Sequence, residues 1–250
     1  SNKLDIVPMS APLSPSAQEN TVIELKAAHL TLGRAAASVN ILKGIDLQIN
    51  VGETVGILGP SGAGKTSLLM VMAGLENLSK GRIFLSGTDI TQMDEDPLAA
   101  IRRDMVGIIF QAFRLIPSLT ALQNVAIPLE LAGHNDATDL AEAALESVGL
   151  EHRLTHLPDQ LSGGEQQRVA IARAVAPKPR ILLADEPTGN LDSATSEKVI
   201  NILFKSAHDA GAALVLVTHD AALAARCSRV IEIEDGIITQ DTKKGAKAED

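Results

Sequence analysis

The run Gly59-Pro60-Ser61-Gly62-Ala63-Gly64-Lys65-Thr66 sets two glycines around four residues, then adds a lysine and a hydroxyl. Residues of these types at this spacing are suited to holding phosphate. Glycines let the backbone curl until several N–H groups point inward at phosphate oxygens, and a helix starting there adds positive potential. Lys65 would reach the β- and γ-phosphates, and Thr66 would hold Mg²⁺ through its hydroxyl, with Ser67 next on the helix in the same binding set. The flanks fit: the apolar run from Thr54 to Leu58 reads as a buried strand leading in, and residues 65–75 read as a helix leading out.

A second group of residues supplies acids. Ile181-Leu182-Leu183-Ala184 is an apolar strand that ends in Asp185 and Glu186. Neighbours on a strand point to opposite faces, so the two carboxylates should have different tasks. Asp185 would bind Mg²⁺ beside Thr66, directly or through water. Glu186 would face the γ-phosphate, where it could orient and deprotonate an attacking water. A third stretch, Leu161-Ser162-Gly163-Gly164-Glu165-Gln166-Gln167, follows a loop and opens a helix. It has two readings. Ser162 and Glu165 can form a capping box, which is purely structural. Alternatively, Ser162 with the bare N–H groups of Gly163 and Gly164 makes a second anion site at a helix N-terminus. One chain would then have two phosphate-binding helix ends but one nucleotide pocket. Two copies facing head to tail would let each second site close over its partner's γ-phosphate.

These groups must be carried by a scaffold, and the hydrophobic pattern outlines one. Thr21 to Leu32 has strand character, a small-residue connection runs from Gly33 to Ser38, and Ile45, Leu47 and Ile49 alternate as a half-buried strand. Residues 81–85 and 106–110 read as further strands. From about Pro117 to Leu157 the period turns helical, with Leu122, Val125 and Leu129 and then Leu140, Ala144 and Val148, despite Pro128. This block has the look of an inserted helical lobe. Beyond it, helices at 165–175, 193–208 and 221–226 alternate with strands at 181–184, 213–217, 229–233 and 237–239. Such alternation implies an α/β fold with a mainly parallel sheet covered on both faces. Residues 1–20, rich in Ser, Pro and Asn, are expected to be a disordered tail, with Met9 a candidate natural start, and residues 241–250 a polar tail.

Composition narrows the class. Of 250 residues, 45% are hydrophobic and 21% charged, which describes a globular chain of one domain or one domain plus a lobe. No apolar run reaches the length of about 18 residues needed to span a bilayer, and the N-terminus has no charged-then-apolar signal pattern, so a soluble cytoplasmic chain is expected. Cys227 is the single cysteine and is expected to pack as a small apolar residue. The net charge of −9 opposes a broad nucleic-acid face, and without Trp or Tyr there is little to stack single-stranded bases on.

Five stretches together resemble the nucleotide motifs of ABC ATPases: Gly59–Thr66, Leu161–Gln167, Ile181–Glu186, Gly189-Asn190-Leu191-Asp192 and Thr218-His219-Asp220, in that family's order and spanning about residues 21–240. The resemblance implies a P-loop NTPase core with an antiparallel β subdomain and a helical subdomain inserted at about 112–165. It implies ATP and Mg²⁺ as ligands, and a head-to-tail pair of chains with the nucleotides between them. By resemblance Gln111 touches Mg²⁺ and the attacking water while sensing a partner protein, Asp192 crosses the dimer interface, and His219 sits near the γ-phosphate. Residues 110–121, 156–160 and 223–227 resemble more finely the lipoprotein-release and macrolide-efflux ATPases. There the ATPase drives an integral membrane permease, which would dock near Gln111–Thr120 and keep the chain on the inner face of the cytoplasmic membrane. A soluble ABC ATPase regulating an envelope enzyme, or acting on nucleic acid or ribosomes, is the alternative. Acidic charge and a single cassette with only a short insertion between Gln111 and Ser162 argue against the nucleic-acid and ribosome roles. The family usually stacks adenine on an aromatic ring ahead of the phosphate loop, and Leu32 stands at that place here. Losing the stack would cost about 1 kcal/mol, which leaves ATP against GTP open.

Overall fold

Two strands without a polar residue before their last position explain the architecture: β7 (Ile181–Asp185) and β8 (Ala213–Thr218). In a sheet covered on one face such a strand would expose every second apolar side chain. Here both faces are covered. Ile181, Leu183, Val215 and Val217 point into one core, and Leu182, Ala184, Leu214 and Leu216 into another. In the computed structural model, which describes residues 20–243, these strands sit in a six-stranded sheet of order β10-β9-β3-β8-β7-β6. Its other members are β3 (Thr54–Leu58), β6 (Val106–Phe110), β9 (Arg229–Glu234) and β10 (Ile237–Lys243). All pairs are parallel except β10 with β9.

A second sheet, antiparallel, has the order β2-β1-β4-β5, from β1 (Thr21–Leu32), β2 (Val39–Asn50), β4 (Lys80–Leu85) and β5 (Thr88–Asp89). Its Ile23, Leu25, Ile45 and Ile49 close the first core over α1 (Lys65–Met72), which contributes Leu68, Leu69 and Met72. The second core lies on the far face. It is filled by Val169 and Ile171 of α5 (Gly163–Val175) and by Val199 and Leu203 of α6 (Ser193–Asp209). The helices between residues 112 and 165, α3 (Ala121–Leu131) and α4 (Ala137–Ser147), add Val125, Leu129, Ala141 and Leu145 to that same core. These two helices pack on each other and on α5, so the lobe reaches the sheet through that helix.

Four boundaries differ from the sequence expectation. The helix after the phosphate loop ends at Met72, not Leu75, because Gly74 turns left-handed at φ 70°. A helix at Glu95–Met105, α2, has no forecast counterpart. Only Leu98 on it is buried, so its apolar period is faint, although Glu95 and Asp96 at its start and Arg102 and Arg103 at its end suit the helix dipole. The last helix, α7, is confined to Ala221–Ala224. The expected polar tail at 241–250 is corrected in its first part. Residues 241–243 belong to β10, pairing with β9 down to Lys243 opposite Arg229. Their charges are satisfied, Asp241 by Arg229 at 2.7 Å and Lys243 by Glu53 at 3.6 Å, which lets polar residues form an edge strand. The expected tail at 1–20, apart from Asn20, and residues 244–250 lie outside the described residues. Among the described residues no helix is long and apolar enough to cross a membrane.

Candidate active site

The phosphate loop joins β3 to α1, and its glycines are demanded by its geometry. A Cβ on Gly59 would lie 2.2 Å from the carbonyl oxygen of Ile233, and Gly64 holds φ 99° as the cap that starts α1. Ala63 is buried, and its carbonyl accepts from the N–H of Gly236, which anchors the loop to the turn after β9. Lys65 is largely buried. Its Nζ donates to the carbonyls of Gly59 at 2.6 Å and Pro60 at 2.7 Å, so the ammonium arches back over the loop it follows.

A cavity of about 760 Å³ opens over this loop. Pro60, Ser61, Gly62, Gly64, Lys65, Thr66 and Ser67 form its floor, and Gln111, Asp185, Glu186 and His219 converge on it from the ends of other strands. Ile41 lines it as well. Leu32 does not, and stands partly exposed across from Val39. The hydroxyl of Thr66 donates to the Asp185 carboxylate, with Oγ1 3.2 and 3.4 Å from the two oxygens. Burial pushes the Asp185 carboxyl up, and the charge of Glu186 adds to this, while the Thr66 hydrogen bond and the charge of Lys65 oppose it. A small dication would relieve that crowding. Hydroxyl and carboxylate oxygens suit Mg²⁺, and no group of three or more His, Cys, Asp or Glu stands ready as a cage among the described residues. That donor set fits an ion held partly by substrate phosphates.

Asp185 and Glu186 are separated by backbone conformation, beyond simple strand alternation. β7 ends at Asp185, and Glu186 adopts φ 45°, a left-handed angle that is costly for a non-glycine residue. The kink aims its carboxylate across β8. Oε2 accepts from the Thr218 hydroxyl at 3.2 Å, and Oε1 accepts from the His219 N–H at 2.8 Å. The His219 ring nitrogen Nδ1 lies 2.7 Å from that same Oε1 and donates to it, since an ionised carboxylate only accepts. The imidazole itself is 74% exposed.

Gln111 follows β6 and lies against Gly189. A Cβ there would lie 2.5 Å from its Nε2, so the side chain rests directly on the Gly189 backbone. Its side-chain N–H donates to Asn190 Oδ1 at 3.1 Å, and the Asn190 amide returns a bond to the Gln111 carbonyl. The loop beyond it is strained, with Phe113 at φ 26° and Arg114 at φ 54°. Arg173 of α5 donates to the carbonyls of both residues, and the buried Asn124 of α3 bonds the backbone of Ile116, Leu119 and Thr120. Neither tether was foreseen. Each links residues that are distant in sequence or hidden in a helical period.

The remaining forecast residues are not part of this cavity. Ser162 and Glu165 form both halves of a capping box, with Ser162 Oγ accepting from the Glu165 N–H at 3.2 Å and Glu165 Oε1 from the Ser162 N–H at 3.0 Å. That backbone bond holds the Glu165 carboxyl below its usual range, and Arg153 pairs with its other oxygen. Gly163 faces Leu191 and Phe113, and a Cβ on Gly164 would lie 2.4 Å from the Thr195 methyl, so α5 and α6 pack closely there. Asp192 caps α6 through the N–H and hydroxyl of Thr195, and the N–H bond is the main cause of its lowered carboxyl pKa. In a single chain the structural reading of Ser162 and Glu165 is satisfied, and the upper side of the nucleotide cavity is left open.

A phosphate loop opening a helix, two acids at the end of another strand of the same sheet and a capped glycine turn outside the pocket are the parts of an ATP-binding cassette. The family described as ABC transporter matches residues 42–189, and the chain belongs to it. It is an ABC ATPase, the ATP-binding subunit of a transporter. Within the family it is 44% identical to the ABC transporter ATP-binding protein YbbA of Escherichia coli K12, over 88% of this chain and 97% of that one. It is 48% identical to the lipoprotein-releasing system ATP-binding protein LolD of Shewanella denitrificans, over 82% of this chain and 89% of that one. The fold matches a solved dimer of the ATP-binding cassette MJ0796 in a post-hydrolysis state with ADP and Pi. The TM-score is 0.82 and the identity 39%, covering 90% of this chain and 99% of that one.

Proposed function

We propose that this chain works as a head-to-tail pair that closes on two Mg·ATP molecules, hydrolyses them, and passes the opening and closing to a membrane permease for export or extraction of a hydrophobic or lipid-linked substrate. One observation carries this reading. Lys65, Thr66, Asp185, Glu186, Gln111 and His219 line one open cavity, while the glycine turn Ser162-Gly163-Gly164 lies outside it. Each pocket is therefore half-built, and a second copy would supply the missing donors.

In that pair the loop N–H groups and Lys65 hold the β- and γ-phosphates, which requires the ammonium to leave the carbonyls of Gly59 and Pro60. Thr66 and Asp185, joined by Gln111, hold Mg²⁺, which neutralises phosphate charge when bound. Glu186 orients a water and takes its proton, and His219 holds the carboxylate through the 2.7 Å contact. Ser162, Gly163 and Gly164 of the second copy offer N–H and hydroxyl groups to the γ-phosphate, and Asp192 crosses between the copies. Catalysis comes from positioning and charge, with no covalent intermediate on the protein.

For the permease, support comes from an apolar groove of about 580 Å³ between the core and the helical lobe, with Leu75, Ile108, Pro128 and Leu131 on its walls. Arg173 borders it and also holds the carbonyls of Phe113 and Arg114, so the groove adjoins the proposed docking stretch Gln111–Thr120. Its apolar walls suit a short helix with an aliphatic face. In this reading the chain is cytoplasmic and held at the membrane by that partner.

Mixing two defective chains tests the half-site. Lys65→Ala and Ser162→Arg should each be inactive alone. Together they should recover about a quarter to a half of wild-type turnover per pair, through the one pocket intact in a mixed dimer. Folded variants that recover nothing, beside a wild-type chain that is fully active at concentrations where it is monomeric, would refute it.

A further inference from the structure

We propose that Gln167 is a positioning residue for hydrolysis, tying the helix of the glycine turn to both reactive loops of its own chain. The inference rests on the roles given above to Gln111 and Glu186. Gln167 lies on α5, about 6 Å along the helix axis from Gly163 at 1.5 Å per residue. Its side chain is fully buried, 0% exposed. Its amide nitrogen donates to the carbonyl of Phe110 at 3.0 Å and to the carbonyl of Pro187 at 2.5 Å. Phe110 immediately precedes Gln111, and Pro187 immediately follows Glu186. One neutral amide thus spans the two backbones that carry the water-handling side chains. Both of its hydrogens are spent there.

The orientation is forced. Flipping the amide would set its oxygen against two carbonyl oxygens and take this donor from both. The observed choice leaves Gln167 Oε1 buried with no partner. An unsatisfied buried acceptor costs about 1–3 kcal/mol, and a methionine or leucine here would instead take this donor from the two carbonyls. What the amide adds beyond local stability is a fixed spacing between the two loops, since one nitrogen holds both carbonyls. In the proposed pair the N-terminus of the same helix faces the partner's γ-phosphate, so Gln167 connects the state of one pocket to Gln111 and Glu186 of the other.

The test uses the full-length protein with Mg·ATP. Gln167→Met keeps the length of the side chain and removes both donors; Gln167→Asn keeps the amide one methylene short. Both should fold, bind ATP within about threefold of wild type, and lose kcat with KM little changed. The loss should reach tenfold or more for Gln167→Met, because a misplacement of about 1 Å can cost 10²-fold. In a double-mutant cycle, Gln167→Met on top of Gln111→Ala should slow turnover by clearly less than the product of the two single losses, because Gln167 acts in part through that loop. A folded Gln167→Met with kcat within threefold of wild type overturns the proposal, as does full additivity with Gln111→Ala or a change confined to KM. Failure of both variants to fold makes the amide a folding element and overturns it equally. Normal turnover by Gln111→Ala alone removes the role assigned to that glutamine and this proposal with it. A slow Gln111→Ala beside a normal Gln167→Met overturns this proposal only.

Discussion

Glu186 holds a left-handed backbone angle that a glutamate does not choose freely. Its carboxylate is met by three donors: the Thr218 hydroxyl, the His219 N–H and the His219 ring. Strain of this kind persists where the surroundings over-determine it, and here they aim one carboxylate away from its neighbour Asp185. We expect Glu186→Gln to keep the hydrogen bond from the backbone N–H while losing the ability to take a proton. Turnover should fall at least about 10²-fold, the usual scale for a general base, with ATP affinity retained and ATP-dependent dimers accumulating in size-exclusion chromatography. A variant that still hydrolyses ATP normally would show that the proton leaves by another route. At this scale the motifs were readable, because the residue types alone specify the chemistry. The geometry was less so: strand alternation separates Asp185 from Glu186 in principle, yet β7 stops at the first of them.

Among elements, the edge strand β10 shows how polar residues acquire structure. Arg229, buried on β9, binds both Asp241 oxygens and the Gln48 carbonyl, and Glu53 stands at 3.4 Å, so one guanidinium fastens β10, β9 and the turn after β2. The hydrogen bonds from Arg229 hold the Asp241 carboxyl below its usual range, with only a partial opposing effect from burial. A carboxyl whose folded pKa is depressed contributes stability above its unfolded value of about 3.9, and that contribution is lost as pH falls through the folded value. Thermal melts should therefore show wild type more stable than Asp241→Asn at pH 7, by about 1 kcal/mol or less given that the carboxylate is 37% exposed. The gap should begin to narrow below about pH 4 and vanish once the pH has fallen through the folded value. A gap that is unchanged at pH 3 would assign the effect to shape and not charge. Helix α2 makes the opposite point about legibility. Its charges are arranged for a helix, but its single buried Leu98 gave the hydrophobic period too little to register.

For the whole molecule, the two cores decide which elements pack together. The central strands of the six-stranded sheet are buried on both faces, and α3 and α4 pack on α5 and add side chains to the second core. The groove beside them leaves Leu131 79% exposed. Leu131→Glu should alter stability by less than about 0.5 kcal/mol, as expected at an exposed site, and leave the ATPase of the isolated chain near wild type. It should abolish recovery of the chain with the membrane fraction. Equal recovery of wild type and variant would place the permease elsewhere on the surface.

What the sequence determined by itself was the class. Phosphate loop, acid pair and glycine turn are local patterns whose meaning lies in residue type and spacing, and the alternation of apolar strands with helices dictated a parallel sheet covered on both sides. Only the tertiary structure decided which side chains meet. Gln111 bonds Asn190 across 79 positions, and Gln167 reaches Phe110 across 57. No local period encodes such distances; they follow from two cores that pack from opposite faces of one sheet and bring the ends of separate strands to a common edge.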